Sequence, residues 1–153
     1  MANFLSKLFS FGSDISYAYS SVQTQTMKAK KVLDKILDTN KDVPIEEFLK
    51  MYDMRMYDIS NKQSDIKFMK NVDFEGVYIL RNATQNKCFV GKASKVFNKI
   101  ERHFTGYGNE EIYSEWRKGN KFYINIIRFE NSGYDNINYL ERDIKEKYNA
   151  FDY

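Results

Sequence analysis

The stretch that most limits the fold is "GVYILRNATQNKCFVGKA", residues 76–93. Gly76 to Leu80 is a run of β-branched and aromatic residues, which pack well on a pleated surface. "NATQNK" follows, with Asn82 and Asn86 as turn formers, because short amide side chains can satisfy the local backbone. "KCFVG" is a second strand-like run. The stretch therefore predicts a β-hairpin, and alternation along it puts Cys88 and Phe89 on opposite faces. "KFYINIIRF", residues 121–129, predicts a third, mostly buried strand.

Helical patterns fill the remainder of this half. Ser94 is expected to cap a helix whose apolar side is Val96, Phe97, Ile100 and Phe104. "TGYGN" ends it with two glycines. Glu110 to Lys118 predicts a second helix, closed by Gly119. Asp135 or Asn136 opens a last helix, with Ile137, Leu140, Ile144 and Tyr148 facing inward. The order β-β-α-α-β-α gives an α+β class: a small three-stranded, mostly antiparallel sheet flanked by helices.

The first half reads differently. Ile15, Ala18, Tyr19, Val22, Ala29, Val32, Leu33, Ile36 and Leu37 follow helical spacing, with a polar gap around Gln23 to Thr26. "TNKDVP" interrupts the pattern, since proline suits only the start of a helix. A second helix then carries Ile45, Phe48, Leu49, Tyr52 and Met56 on one face, with Asp42 as its expected cap. "DISNKQSD" reads as a linker, and Ile66 to Asn71 as a short lead-in. The chain divides into a helical N-terminal extension, 1–71, and a second domain, 72–153. The extension holds no catalytic constellation; it is expected to be a helical hairpin that packs on the domain or on a protein partner, the alternative being a target-recognition or inhibitor-contacting appendage.

Composition narrows the class. The formal charge is only +3, so any electrostatic footprint must be local. Cys88 is the sole cysteine, which excludes an intramolecular disulfide and a cysteine-rich metal site and fits a reducing cytoplasm. "MANFLSKLFSFGS" lacks the pattern of a secretory signal. No apolar run reaches the roughly 18 residues of a membrane span. The expectation is a cytoplasmic protein with no membrane partner.

The basic residues are concentrated. Arg81, Lys87, Lys92, Lys95, Lys99 and Arg102 fall within 81–102, opposed there only by Glu101. Lys92, Lys95, Lys99 and Arg102 recur at spacings of three and four, so most can share one helix face or the loop leading into it. Tyr78, Phe89 and Tyr107 are interleaved. Two readings stay open at this point: a cradle for phosphodiesters, or a solvated helix face.

Taken in order, "GVYIL", a turn, "FVGKA", a helix carrying "NKIERHF" and finally "NYLERDIKEKYNA" resemble the GIY-YIG nuclease family. The resemblance covers roughly residues 74–152. "HFTGYGN" followed by "IYSEWRKGNKF" is similar to a phage and mobile-element branch of that family. The resemblance implies metal-dependent hydrolysis of DNA phosphodiesters with Mg²⁺ or Mn²⁺, in a bacterial cytoplasm. It places Glu141 as the metal-binding carboxylate, Tyr78 as the first-motif tyrosine, His103 as the helix histidine and Lys92 as a phosphate contact. Hard oxygen ligands suit Mg²⁺, often one carboxylate completed by waters. Arg81, Lys87 and Lys95 are expected to contact nucleic acid.

Two positions depart from the family pattern. Phe89 stands where the second tyrosine belongs, so that hydroxyl is missing. Lys99, eight residues beyond Gly91, stands where the family has an arginine. Lysine keeps the charge but lacks the planar fork that grips phosphate. Arg102, three residues on, can substitute from the same helix. Asn149 is a candidate for an asparagine that family members carry further on. Two functions follow as alternatives: a nuclease of weakened activity, or a catalytically degenerate domain that binds DNA or a protein, of an inhibitor or anti-defence kind.

Overall fold

A computed structural model describes residues 27–51 and 73–150. Within them the expected hairpin forms one side of an antiparallel sheet. Its strands are β1 (Val43–Pro44), β2 (Gly76–Asn82), β3 (Lys87–Ala93) and β4 (Phe122–Arg128). They lie in the order β1-β4-β2-β3, so β3 is an edge. The sheet has four strands where the sequence suggested three. The extra one is the "VP" of the presumed helix start: Val43 pairs with Ile124 and Pro44 with Tyr123. Proline is tolerated there because β1 is the other edge. At the hairpin turn, Asn82 Oδ1 accepts hydrogen bonds from the amides of Thr84 and Gln85, both at 3.1 Å. Asn86 takes the left-handed conformation, φ 53°.

Five helices are present among the described residues: α1 (27–39), α2 (45–51), α3 (Val96–His103), α4 (Glu110–Arg117) and α5 (Ile137–Tyr148). The α+β class is as expected. The helix starts are capped partly as the sequence implies. Asn109 caps α4 through Ile112 N–H at 3.1 Å, and Asn136 caps α5 through Asn138 N–H at 2.9 Å. Ser94 does not cap α3. Lys95 is the cap residue and its side chain makes no capping bond. Asp73 does that work from a distance, accepting from Phe97 N–H at 2.9 Å and Asn98 N–H at 3.1 Å. A carboxylate at a helix N-terminus also complements the positive end of the dipole. Asp42, expected to cap α2, lies before β1 and binds Arg81 at 2.9 Å.

Side-chain alternation divides the core in two. Val77, Ile79, Val90 and Ile127 pack on one face against Leu33 and Leu37 of α1 and Leu140 and Ile144 of α5. Tyr78, Leu80, Phe122 and Ile124 pack on the other against Ile45 of α2, Val96 and Ile100 of α3, and Ile112 of α4. Cys88 joins the first cluster and Phe89 the second, as the alternation requires. Each fully buried aliphatic contributes roughly 1.5–3 kcal/mol of transfer free energy. The described part of residues 1–71 therefore packs on the sheet. Asn40 Nδ2 ties the end of α1 to Ile126 O at 3.2 Å. The predicted helix before residue 27, Tyr52, Met56, the linker and the Ile66–Asn71 lead-in lie outside the described residues. Among the described residues, no helix is long and apolar enough to cross a membrane.

Candidate active site

Tyr78 sits in the middle of β2 and is 1% exposed. Its cross-strand partner on β3 is Gly91, and this pairing explains the glycine. A Cβ at Gly91 would lie 2.4 Å from Tyr78 Oη, so the phenol ring occupies the space a side chain would fill. Gly76 is required for a similar reason, since a Cβ there would meet Ile127 O at 2.6 Å. Phe89 flanks the tyrosine, with ring centroids 6.1 Å apart in a stacked arrangement.

His103, the last residue of α3, closes the cluster. It is 3% exposed and packs edge-on to Phe89, centroids 5.4 Å apart. Its Nε2 lies 2.8 Å from Tyr78 Oη, and its Nδ1 accepts the backbone N–H of Asn109 at 3.0 Å. That second bond fixes the tautomer. A ring nitrogen that accepts an amide hydrogen carries none of its own, so the neutral ring has its hydrogen on Nε2. His103 therefore donates to Tyr78 Oη, and the tyrosine keeps its own hydrogen for another acceptor. Burial, and then the Lys99 charge, push the histidine pKa down to about 4. Burial, and then the Glu141 carboxylate, push the Tyr78 pKa well above its ordinary value. At neutral pH this is a neutral donor pair.

The loop between α3 and α4 builds this arrangement. A Cβ at Gly108 would lie 2.6 Å from His103 Nδ1, so only glycine lets the backbone close over the ring. Asn109 then serves twice: its amide binds the histidine and its side chain caps α4. The turn in "TGYGN" is legible in the sequence; the amide bond to His103 is not. A histidine six residues before a capping asparagine was the available signal.

Lys92 leaves β3 on the opposite face from Gly91. Its ammonium binds Asn138 Oδ1 and lies 3.9 Å from Glu141 Oε1. Lys145 approaches the same carboxylate oxygen at 3.5 Å. The two clusters sit on either face of the edge strand, yet the Glu141 charge is felt at the Tyr78 hydroxyl. Among the described residues no group of three or more His, Cys, Asp or Glu could hold a metal. The donors nonetheless suit a hard cation. Asn138 and Glu141 direct two oxygens at one ammonium, and Mg²⁺ needs few protein ligands because it retains waters.

The six basic residues of 81–102 do not form one patch. Lys95, Lys99 and Arg102 lie exposed on or beside α3, with no ion pair to another described residue. Lys92 faces α5. Arg81 is bound by Asp42 at 2.9 Å and stacks 4.6 Å over the Tyr123 ring. Lys87 is held by Glu115 at 2.6 Å and Glu111 at 3.2 Å. Glu115 also accepts from Asn82 Nδ2 at 3.0 Å, so this trio braces the hairpin turn. Asn149 ends α5 in the left-handed conformation, φ 50°, which is a helix-terminating role. No family model matches the chain, and neither a curated protein nor a solved structure matches it.

Proposed function

We propose that this chain is a DNA endonuclease of the GIY-YIG type, hydrolysing phosphodiesters with Mg²⁺ or Mn²⁺. The observation that carries this reading is the Tyr78–His103 pair on one face of the β2–β3 hairpin, with the Lys92–Glu141 pair on the other face of β3. Tyr78 is held by His103 at 2.8 Å, and burial, then the Glu141 carboxylate, raise its pKa and keep it protonated. In this reading Tyr78, which is 1% exposed, shapes the floor of the phosphate site beneath Gly91. His103 is a positioning residue, because Asn109 occupies its other nitrogen. Lys99 and Arg102 neutralise the backbone charge that builds in the transition state. Glu141, with Asn138 beside it, would hold a divalent ion, which would supply polarisation of the phosphate and stabilisation of the leaving oxygen.

A second reading is a domain that binds DNA or a protein without cutting. Two observations favour it. Phe89 makes a T-shaped contact with His103 where a hydroxyl is missing, and two ammoniums already pair with Glu141. Plasmid cleavage in Mg²⁺ or Mn²⁺ separates the two. Cleavage by the wild type supports the enzyme. Cleavage only by the double variant Phe89→Tyr/Lys99→Arg supports the binding module, with turnover lost through those two positions.

A further inference from the structure

We propose that Asn138 and Glu141 form a cation pocket in which the Lys92 ammonium is the resident cation. A divalent ion enters it once Lys92 has turned to a DNA phosphate. This rests on the nuclease reading and adds a coupling between nucleic acid and metal. Positions 138 and 141 are three apart on α5, so their side chains share a helix face. Lys92 arrives from a different element, the edge strand β3, and binds the asparagine oxygen while lying 3.9 Å from the glutamate. An ammonium and a divalent ion cannot share two oxygens at that spacing without strong repulsion. Lys92 is also free to leave. Its side chain is 41% exposed, and its unbranched stem lets the charge swing while the backbone stays in the sheet.

Phosphate competes for that ammonium. When a backbone phosphate takes Lys92, the two oxygens lose their cation and become a site for another. DNA therefore raises metal affinity, and by linkage the metal raises DNA affinity by the same factor. Lys145 pairs with the carboxylate alone. It partly neutralises Glu141 but has no bond to Asn138 among the described residues.

The test measures Mn²⁺ binding to the full chain by titration calorimetry, without catalysis as a readout. Lys92→Met keeps the stem and removes the charge. It should bind Mn²⁺ at least tenfold more tightly than wild type in the absence of DNA. Adding Asn138→Leu or Glu141→Gln to it should reverse that gain. A phosphorothioate duplex, which retains backbone charge and resists hydrolysis, should raise wild-type Mn²⁺ affinity at least tenfold more than it raises that of Lys92→Met, because the variant has no resident ammonium to displace; equal gains in the two would overturn the proposal. If Glu141→Gln abolishes Mn²⁺ binding but Lys92→Met binds no better than wild type, the resident-cation proposal falls and the nuclease reading stands. If no form binds Mn²⁺ with or without the duplex, both fall.

Discussion

His103 should make this protein acid-sensitive by a calculable amount. It is the chain's only histidine, so the effect can be isolated. An unfolded imidazole titrates near 6.5, whereas burial and Lys99 lower the folded value to about 4. The folded pKa is depressed, so protonation favours the unfolded chain. The stability in question is present above pH 6.5 and lost as pH falls towards 4. Integrating the proton difference from pH 7 to pH 5 gives a loss of about 2 kcal/mol, reaching roughly 3 kcal/mol below pH 4. That is a large share of a typical domain's 5–15 kcal/mol. Urea unfolding at pH 7 and pH 5 measures it. His103→Gln provides the control, because glutamine offers one donor to Tyr78 and one acceptor to Asn109 without titrating. Wild type should lose about 2 kcal/mol more than the variant. Equal losses in the two proteins would refute a histidine held neutral between Tyr78 and Asn109.

Other perturbations test separate parts of the arrangement. Gly91→Ala places a methyl group 2.4 Å from Tyr78 Oη. Overpacking should cost about 1–3 kcal/mol in urea unfolding, and a change under about 0.5 kcal/mol would show that the phenol can move aside freely. Asp73→Ala removes the acceptor for two α3 amides and should cost about 1 kcal/mol; an unchanged urea midpoint would mean water caps the helix equally well. For DNA binding, Lys99→Ala should lower the salt slope by about one. Lys87→Ala should leave that slope unchanged, because Glu115 and Glu111 hold its ammonium. Equal slopes for the two variants would contradict the division of the basic residues.

Much of the fold is legible in the sequence because periodicity carries it. The β2–β3 hairpin, the buried β4 and the inward face of α5 each have enough residues for a period to show. β1 does not. Two residues have no pattern, and Val43–Pro44 becomes a strand only by pairing with β4. The cap of α3 is hidden for a related reason: Ser94 is the local candidate, but Asp73 reaches the helix from before β2. The candidate site was legible as a set of residue types and only partly as an arrangement. Counting charge along 81–102 cannot see that folding brings Asp42 to Arg81 and Glu115 to Lys87. Nor can spacing reveal which nitrogen of His103 carries the hydrogen, since the Asn109 amide decides that through the fold.

The most direct test of the central claim is conversion of supercoiled plasmid to nicked or linear DNA, with wild type and Glu141→Gln compared in Mg²⁺ and Mn²⁺. The nuclease reading requires cleavage that chelation abolishes and that Glu141→Gln lowers at least a hundredfold, with the variant's urea midpoint unchanged. Wild-type cleavage that survives Glu141→Gln, or no wild-type cleavage in either metal, would contradict it.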